Sequence, residues 1–194
     1  MPSFIEKAEQ VTLPVIALQG SVAFPLIPIN FEAADASASA AAKAAGLGSS
    51  FIFLVTVRDH AKKSDDEFPY YSIGTVARIR QLIRTPEGET RILAEGLVRA
   101  SALQYRSAGA YPEADLICKH IVLPDHGGVR GEAAIHEMLR SVENNLHYLP
   151  ADSDDLVKAL HGFDDPGTLA DFIAANILVR TVDKQAVLEC FDPL

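Results

Sequence analysis

The feature of this 194-residue chain that most constrains its fold is a change in the spacing of its apolar residues near position 124. Before the turn "PDHGG", short apolar runs alternate with polar residues, which is typical of half-buried β-strands. After this turn, apolar residues recur every three or four positions, as in amphipathic helices. The sequence therefore predicts an α+β fold, with a β-rich subdomain over 1–123 and an α-helical bundle over 124–194.

Six apolar runs in the first half each predict a strand. They are rich in Val, Ile, Leu, Phe and Thr, and Gly, Pro or charged residues separate them. The six are "VTLPVIALQ", "PLIPINF", "SFIFLVTV", "SIGTVARIRQLI", "TRILAEGLVRASALQY" and "EADLICKHIV". One helix is predicted between them in "FEAADASASAAAKAAG", where Asp35 suits an N-cap and Gly46 a left-handed C-cap.

The stretch "LIRTPEGETRILAEGLVRA" has the composition of a hairpin. Pro86 and Gly88 suit a tight turn, so Leu82–Arg84 and Thr90–Leu93 are predicted to pair. Because no helix pattern follows either of its glycines, the stretch is not predicted to be a phosphate-binding loop. Gly96 is predicted to mark a bend or a bulge in the second strand.

Four helices are predicted after position 124. The longest, in "GEAAIHEMLRSVENNLHYL", carries an apolar stripe formed by Ile135, Met138, Leu139, Val142 and Leu146. Another opens at Asp165, a good N-cap, followed by Pro166 in the first turn. Asp192 and Pro193 repeat this opening signal, so either the C-terminus of a whole protein is frayed or the native chain continues past Leu194, and we expect the second.

Composition argues against several classes of protein. With 26 acidic and 17 basic residues the net charge is -9, which repels phosphate backbones, so no nucleic acid is expected as a partner. The N-terminus "MPSFIEKAEQ" does not resemble a signal peptide, and no apolar run approaches the roughly 18 residues of a membrane span. A cytoplasmic protein that does not enter a membrane is expected, with Cys118 and Cys190 as buried free thiols.

Catalytic motifs are missing from the sequence. It contains no GxxxxGK[ST], GxGxxG, GxSxG or HExxH. His136 and Glu137 begin the last of these motifs, but Arg140 occupies the position of its second histidine. We therefore expect no catalytic residue, no cofactor and no metal site in this chain.

Two segments of the first half carry a resemblance to a known family. They are "LPVIALQGSVAFPLIPINF" and "YYSIGTVARIRQLIRTPEGETRILAEGLVRASALQY". The positions that match are Leu13, Pro14, Leu18, Phe24, Pro25, Pro28, Ile29, Tyr71, Gly74, Thr75, Ala77, Ile79, Gly88, Gly96 and Arg99. In this ordered pattern the chain resembles the N-terminal domain of the ATP-dependent protease Lon, and "DDPGTLADFIAANI" and "DKQAVLE" extend the resemblance through the helical half.

The resemblance implies a β-rich subdomain of the PUA-like kind, with a barrel or sheet and one helix, followed by a helical bundle. It also implies that the chain binds unfolded or damaged proteins and contributes to oligomer assembly. In Lon, ATPase and serine-lysine peptidase modules perform the proteolysis, so the chain itself is not expected to be an enzyme.

Exposed apolar side chains suit the binding of unfolded chains, which offer apolar groups in no fixed order. The candidate peptide-binding residues are Phe24, Phe31, Phe68, Tyr70 and Tyr71. The last three end the mixed-charge loop "RDHAKKSDDEFPYY", where aromatic residues either anchor a loop to the core or form an exposed binding patch.

Two other functions stay open from the sequence. One is a free-standing PUA-like module that binds RNA or is regulatory, for which the candidate residues are Arg78, Arg80, Arg84, Arg91, Arg99 and Arg106. The net charge opposes this alternative. The other is a small hydrolase that acts through an unrecognised Ser or Cys, for which the sequence offers no positive signal.

Overall fold

A computed structural model describes residues 5–58, 68–86, 89–122, 124–145, 147 and 154–194. The chain divides into two compact units, of which one is Lys7–His120 and the other includes Ile121–Leu194. The predicted turn glycine Gly88 and the stripe residue Leu146 lie outside the described residues.

The described residues confirm the six predicted strands and the helix between them. The elements are β1 (Ile5–Leu18), β2 (Pro28–Glu32), α1 (Ala36–Leu47), β3 (Phe51–Thr56), β4 (Ile73–Arg84), β5 (Thr90–Ser107) and β6 (Pro112–Val122). The strands form one sheet in the order β2-β5-β4-β3-β1-β6, with a further pairing between β5 and β6.

The long strand β5 closes this sheet into a ring. Its first half pairs with β2 and its second half with β6, while β4 runs antiparallel to it along most of its length. Because β6 also lies beside β1, the order β5-β4-β3-β1-β6 returns to β5. β2 and the far end of the β4–β5 hairpin therefore extend from a closed ring of five strands.

Two apolar cores lie on opposite sides of this sheet, because successive residues of a strand face opposite ways. Ile52 and Leu54 of β3 belong to the core under α1, whereas Phe53 and Val55 belong to the other core. The core under α1 is called here the helix-side core, and the other the ring core. Four buried alanines of α1, at positions 38, 41, 42 and 45, let this helix lie close to the sheet.

Helix α1 begins where the sequence predicts and ends two residues later. The Asp35 side chain accepts a hydrogen bond from the Ala38 N–H at 2.8 Å, which confirms the predicted N-cap. The C-cap is Gly48 rather than Gly46, and its N–H donates to the Ala45 carbonyl at 3.0 Å. Gly46 lies within the helix and does not end it. Because Gly46 has no Cβ, the end of the Leu82 side chain can pack against it.

Four α-helices are described in the second unit. They are α2 (Gly128–Asn144), α3 (Asp154–Leu160), α4 (Pro166–Asn176) and α5 (Thr181–Glu189), after a 3-10 turn over Pro124–Gly127. Helix α4 packs against the other three, and Asp165 caps it by accepting from the Thr168 N–H at 2.8 Å, as predicted. The described residues of the α2 stripe are half-buried. None of the described helices is long and apolar enough to cross a membrane.

The two cysteines differ in burial. Cys118 is buried, as predicted, but Cys190 is exposed. Cys190 directly follows the last residue of α5, where no neighbouring helical turn covers it. The prediction of two buried thiols is therefore wrong for Cys190.

Candidate functional site

The far end of the β4–β5 hairpin, together with β2, forms a three-stranded sheet. It consists of Pro28–Glu32, Arg80–Arg84 and Thr90–Glu95, and it is called here the distal sheet. Its register places Asn30 opposite Leu93 on one side of β5 and Gln81 opposite Leu93 on the other. This confirms the predicted pairing of Leu82–Arg84 with Thr90–Leu93.

The two faces of the distal sheet differ in what covers them. Residues directly opposite each other in an antiparallel pair share a face. Phe31, Ile92 and Leu82 lie in one row on the inner face, and Ile92 is fully buried in the helix-side core. The next residues along each strand therefore point outward.

The outer face presents apolar side chains to the surface. Leu93 is 37% exposed and Ile83 is 47% exposed, although both lie within regular strands. Asn30 and Gln81 flank Leu93 on this face. The outer face is therefore a mixed apolar and amide surface, supported from behind by a packed core.

Ion pairs border these apolar residues. The Arg91 Nε donates to Glu32 Oε1 at 2.9 Å, which links β5 to β2. The Arg80 Nε donates to Glu95 Oε2 at 2.8 Å, which links β4 to β5. Because each arginine is matched by a carboxylate, the outer face carries little net charge.

A shallow groove runs along the β2 side of this sheet. Its volume is about 310 Å³, and it is lined by Asn30, Phe31, Glu32 and Arg91. Phe31 is half-buried and packs against the helix-side core. Of the five predicted peptide-binding residues, Phe31 is the one that lines this groove.

Phe24 lies in the core instead. It is fully buried, and its carbonyl oxygen approaches Gly96 so closely that a Cβ at Gly96 would collide with it. Gly96 sits beside a register shift between Val76 and Ala77, which confirms the predicted bulge. Phe24 therefore contributes no surface in this fold, and we do not place it in the candidate site.

Phe68 and Tyr70 form a separate cluster with Tyr105. The ring centroids of Tyr70 and Tyr105 are 5.3 Å apart, and those of Phe68 and Tyr105 are 5.9 Å apart. The Tyr105 hydroxyl donates to the Tyr71 carbonyl at 2.7 Å. Tyr70, Tyr71 and Tyr105 also pack against the ring core. The structure thus brings Phe68, Tyr70 and Tyr71 together, but on a different core from Phe31.

The two tyrosines of this cluster, Tyr70 and Tyr105, are half-buried. Burial raises the pKa of the Tyr105 phenol above its ordinary value, and Tyr70 adds to this shift. Burial also raises the pKa of Tyr70, with a smaller contribution from Asp35. Raised pKa values are expected of tyrosine side chains that anchor a loop to the core.

Most of the arginines that were considered for RNA binding already contact other groups of the protein. Arg80 and Arg91 form the ion pairs of the distal sheet, and Arg106 Nη2 lies 2.8 Å from Asp115 Oδ1. The Arg78 guanidinium lies over the Phe51 ring, 5.0 Å from its centroid. A surface whose cations are already paired attracts phosphate weakly, so RNA binding is not favoured.

The comparison with known families agrees with this architecture and decides the identity. Residues 12–194 match the family model described as the ATP-dependent protease La (LON) substrate-binding domain. The chain belongs to the Lon substrate-binding domain family. Because the match covers nearly the whole chain, both the β-rich half and the helices fall within it.

Curated relatives of the chain are Lon proteases, of which it matches one part. It is 28% identical to a Lon protease from Desulfovibrio desulfuricans over 94% of the chain and 21% of the relative. It is 31% identical to one from Syntrophomonas wolfei over 93% of the chain and 22% of the relative. The chain thus spans about a fifth of the length of these curated relatives.

The fold matches two solved structures. One is the N-terminal domain of a Mycobacterium avium complex Lon protease, with a TM-score of 0.71 at 20% identity, over 94% of this chain and 92% of that one. The other is a Lon N-terminal domain protein from Xanthomonas campestris, with a TM-score of 0.63 at 17% identity and the same two coverages. These likenesses establish the Lon N-terminal fold.

Sequence reasoning missed the residues that shape the outer face, Ile83, Leu93 and the Arg91–Glu32 pair. Ile83, Leu93 and Arg91 lie in predicted strands, but strand prediction does not say which face is covered, and Glu32 lies just beyond the predicted strand. One signal was present: "LI" at Leu82 and Ile83 breaks strict alternation, so one of the two had to face away from the core.

Proposed function

We propose that this chain recognises and holds unfolded or damaged proteins through the distal sheet, and that other modules of a Lon protease cleave them. The observation that carries the proposal is the exposure of Leu93 and Ile83 on the outer face of a sheet whose inner face packs Ile92 onto the helix-side core. Leu82, at the hairpin end of the inner face, is 37% exposed as well. Apolar side chains on a rigid support bind other apolar groups without reorganising, which keeps the entropic cost of binding low.

The composition of the outer face suits a partner without a fixed sequence. Apolar area gives affinity in proportion to its size and independently of direction, so it serves many segments. Asn30 and Gln81 add amide groups that both donate and accept hydrogen bonds. The paired charges at the border repel neither acidic nor basic segments strongly.

The family suggests the partners. We propose that ATPase and peptidase modules of a longer Lon chain act on the substrates held here, that the domain self-associates during assembly, and that it works in the cytoplasm. Its own contribution is binding rather than catalysis. The likeness of its β-rich half to PUA folds stays a prediction.

The contact residues in this proposal are Ile83 and Leu93 on the outer face, together with Phe31, which lies on the inner face and lines the groove at the β2 edge. The earlier prediction that Phe68, Tyr70 and Tyr71 contact substrate stays a prediction, and their packing on the ring core favours the structural alternative. A Tyr70→Ala variant in the assay below separates the two roles, since an anchoring residue changes stability rather than affinity.

The test is the binding of fluorescently labelled, denatured casein, followed by anisotropy. The double variant Ile83→Ser and Leu93→Ser should weaken binding about tenfold or more, because each removes apolar area that substrate would cover. Leu103→Ser is the matched control, because Leu103 is 57% exposed on the other half of β5.

Two outcomes would contradict the proposal. One is that casein does not bind the wild-type chain even at millimolar protein. The other is that Leu103→Ser weakens binding as much as the double variant does, which would place the contact surface elsewhere.

A further inference from the structure

The strand β2 has one paired edge and one free edge. In the sheet order it is terminal, and it pairs with β5. Within the described residues, no strand pairs with its other edge. An edge of this kind presents backbone N–H and C=O groups that a further strand can bond.

Two hydrogen bonds establish which residues of β2 direct their backbone N–H and C=O groups to the free edge. The Ala33 N–H donates to the Thr90 carbonyl at 2.8 Å, and the Gly96 N–H donates to the Ile27 carbonyl at 3.2 Å. In an antiparallel pair the bonded residues alternate with residues whose backbone groups point away. Ile29 and Phe31 therefore bond β5, whereas Pro28, Asn30 and Glu32 direct their backbone groups to the free edge.

The free edge thus offers a short and defined set of backbone groups. Asn30 and Glu32 each present an N–H and a C=O, and Pro28 presents a C=O alone. Proline is tolerated here because its missing N–H lies on the unbonded edge. Donors and acceptors that alternate at a spacing of two residues match the backbone of another extended chain.

A strained residue stands at the entrance to this edge. Leu26 has a φ of 60°, a left-handed conformation that is uncommon for leucine, and 63% of its surface is exposed. Its N–H donates to the Gly96 carbonyl at 2.9 Å.

A hydrogen bond also fixes the segment before Leu26. The buried Thr75 hydroxyl donates to the Ala23 carbonyl at 2.6 Å. The fold thus holds an apolar side chain outward at a cost in backbone strain, which is a feature of binding sites.

We propose that an extended segment of an unfolded protein substrate adds to β2 as a further strand, bonded by the outward backbone groups of Asn30 and Glu32. This inference rests on the proposed function and specifies how the distal sheet holds its substrate. Backbone bonding is independent of sequence, which suits a binder of unfolded chains.

Charge and packing define the preferred segment. Opposed side chains on neighbouring strands lie about 4.5–5.5 Å apart. A residue opposite Glu32 would share its carboxylate with Arg91, so a basic side chain is weakly preferred there and an acidic one weakly disfavoured. The residue opposite Phe31 would face the ring of Phe31, so an apolar side chain is preferred.

A second copy of the chain fits this edge less well. It would bring the same short strand, in which Pro28 has no N–H, and so could return few hydrogen bonds. An unfolded segment can supply an N–H and a C=O at each successive residue. The partner that fits this edge is therefore an unfolded substrate segment.

The experiment compares Asn30→Pro with Asn30→Ala in the casein assay. The proline variant removes the outward N–H, whereas the alanine variant keeps it and removes the side chain. Asn30→Pro should weaken casein binding at least about tenfold, because a lost backbone bond leaves its partner unpaired. Asn30→Ala should weaken binding less, by at most about threefold, because it loses only the side-chain amide and keeps the backbone edge, so the ratio between the two variants isolates the contribution of the N–H.

Amide hydrogen exchange of the wild-type chain provides a second readout that does not depend on the variants folding. The Asn30 and Glu32 amides should exchange fast alone and at least about tenfold more slowly with saturating casein. The Phe31 amide, which bonds β5, should be protected in both states and serves as the internal control.

Each outcome separates this inference from the proposed function. If casein binds wild type and Asn30→Pro equally and the two amides gain no protection, the added strand is wrong while the binding function stands. If casein fails to bind wild type, both are wrong. If the two amides gain protection with rising protein concentration and without casein, a second copy occupies the edge and the inference is overturned.

Discussion

The two halves of the β4–β5 hairpin are made of the same two strands but differ in how far their side chains are buried. In the near half, Gly74, Thr75, Val76 and Ala77 of β4 are all buried. In the far half, Arg80–Arg84 is exposed while its pairing with β5 continues. Backbone pairing thus continues beyond the two cores. The side chains on the outer face of the far half pack against neither core.

The cause of the difference is what covers the outer side of each half. In the near half, the segment before β2 lies against the sheet, where Thr75 bonds the Ala23 carbonyl and Gly96 meets the backbone of Phe24. In the far half, only the inner face is covered, by the helix-side core. Mutations in the near half should therefore change stability, and outward mutations in the far half should change binding.

The largest expected effect is at the boundary between the halves. Gly96→Ala should lower the free energy of unfolding by about 3 kcal/mol or more, because the new Cβ collides with the Phe24 backbone, which cannot move without displacing the sheet. Urea unfolding followed by circular dichroism measures it.

Gly46→Ala is the matched control for that variant. Its Cβ meets only the flexible end of Leu82, so stability should stay the same or rise by up to about 1 kcal/mol. Equal losses for the two glycine variants would contradict the close approach at Gly96.

A pair of isoleucines on the two faces of the far half gives the next largest effect. Ile92→Ala should cost about 2–5 kcal/mol, because it opens a cavity in the helix-side core. Ile83→Ala should cost about 1 kcal/mol or less, since Ile83 is 47% exposed and lies outside the packed cores. Chemical denaturation of both variants tests this, and similar losses would mean that the outer face is also packed.

The aromatic cluster gives a smaller effect that depends on pH. Tyr105→Phe removes the hydrogen bond to the Tyr71 carbonyl and should cost about 1–2 kcal/mol at neutral pH. Because burial raises the pKa of the Tyr105 phenol in the folded chain, the unfolded chain loses its proton first as pH rises.

The contribution of this raised pKa is therefore fully present below the ordinary tyrosine pKa of about 10 and is lost as pH increases above it. Thermal unfolding at neutral and alkaline pH should show a steeper loss for wild type than for Tyr105→Phe. Equal slopes would show that the Tyr105 hydroxyl is already solvated in the fold.

Local signals in the sequence were enough for most elements of the fold. Alternating apolar residues located the six strands, and Asp35 and Asp165 marked two helix starts, because capping depends on neighbouring residues alone. The N-terminal end of α1 was correct for the same reason. Its C-terminal end was not, since the contact between Gly46 and Leu82 is tertiary.

The candidate site was harder to predict because its faces depend on a register shift. An irregularity between Ile79 and Gln81 adds Arg80 to β4 and reverses the alternation beyond it. Leu82 therefore turns inward and Ile83 outward, which simple alternation from Ile79 would reverse. Phe24 is buried and not exposed for a related reason. It makes a tertiary contact at Gly96, which local sequence patterns do not reveal.

The most direct test of the central claim is chemical-shift mapping of the 15N-labelled chain during titration with denatured casein. The largest shifts should fall on β2 and on the outward residues Ile83 and Leu93, with little change near Leu103 and the aromatic cluster. Shifts concentrated on Phe68, Tyr70 and Tyr71, with none on the distal sheet, would contradict it.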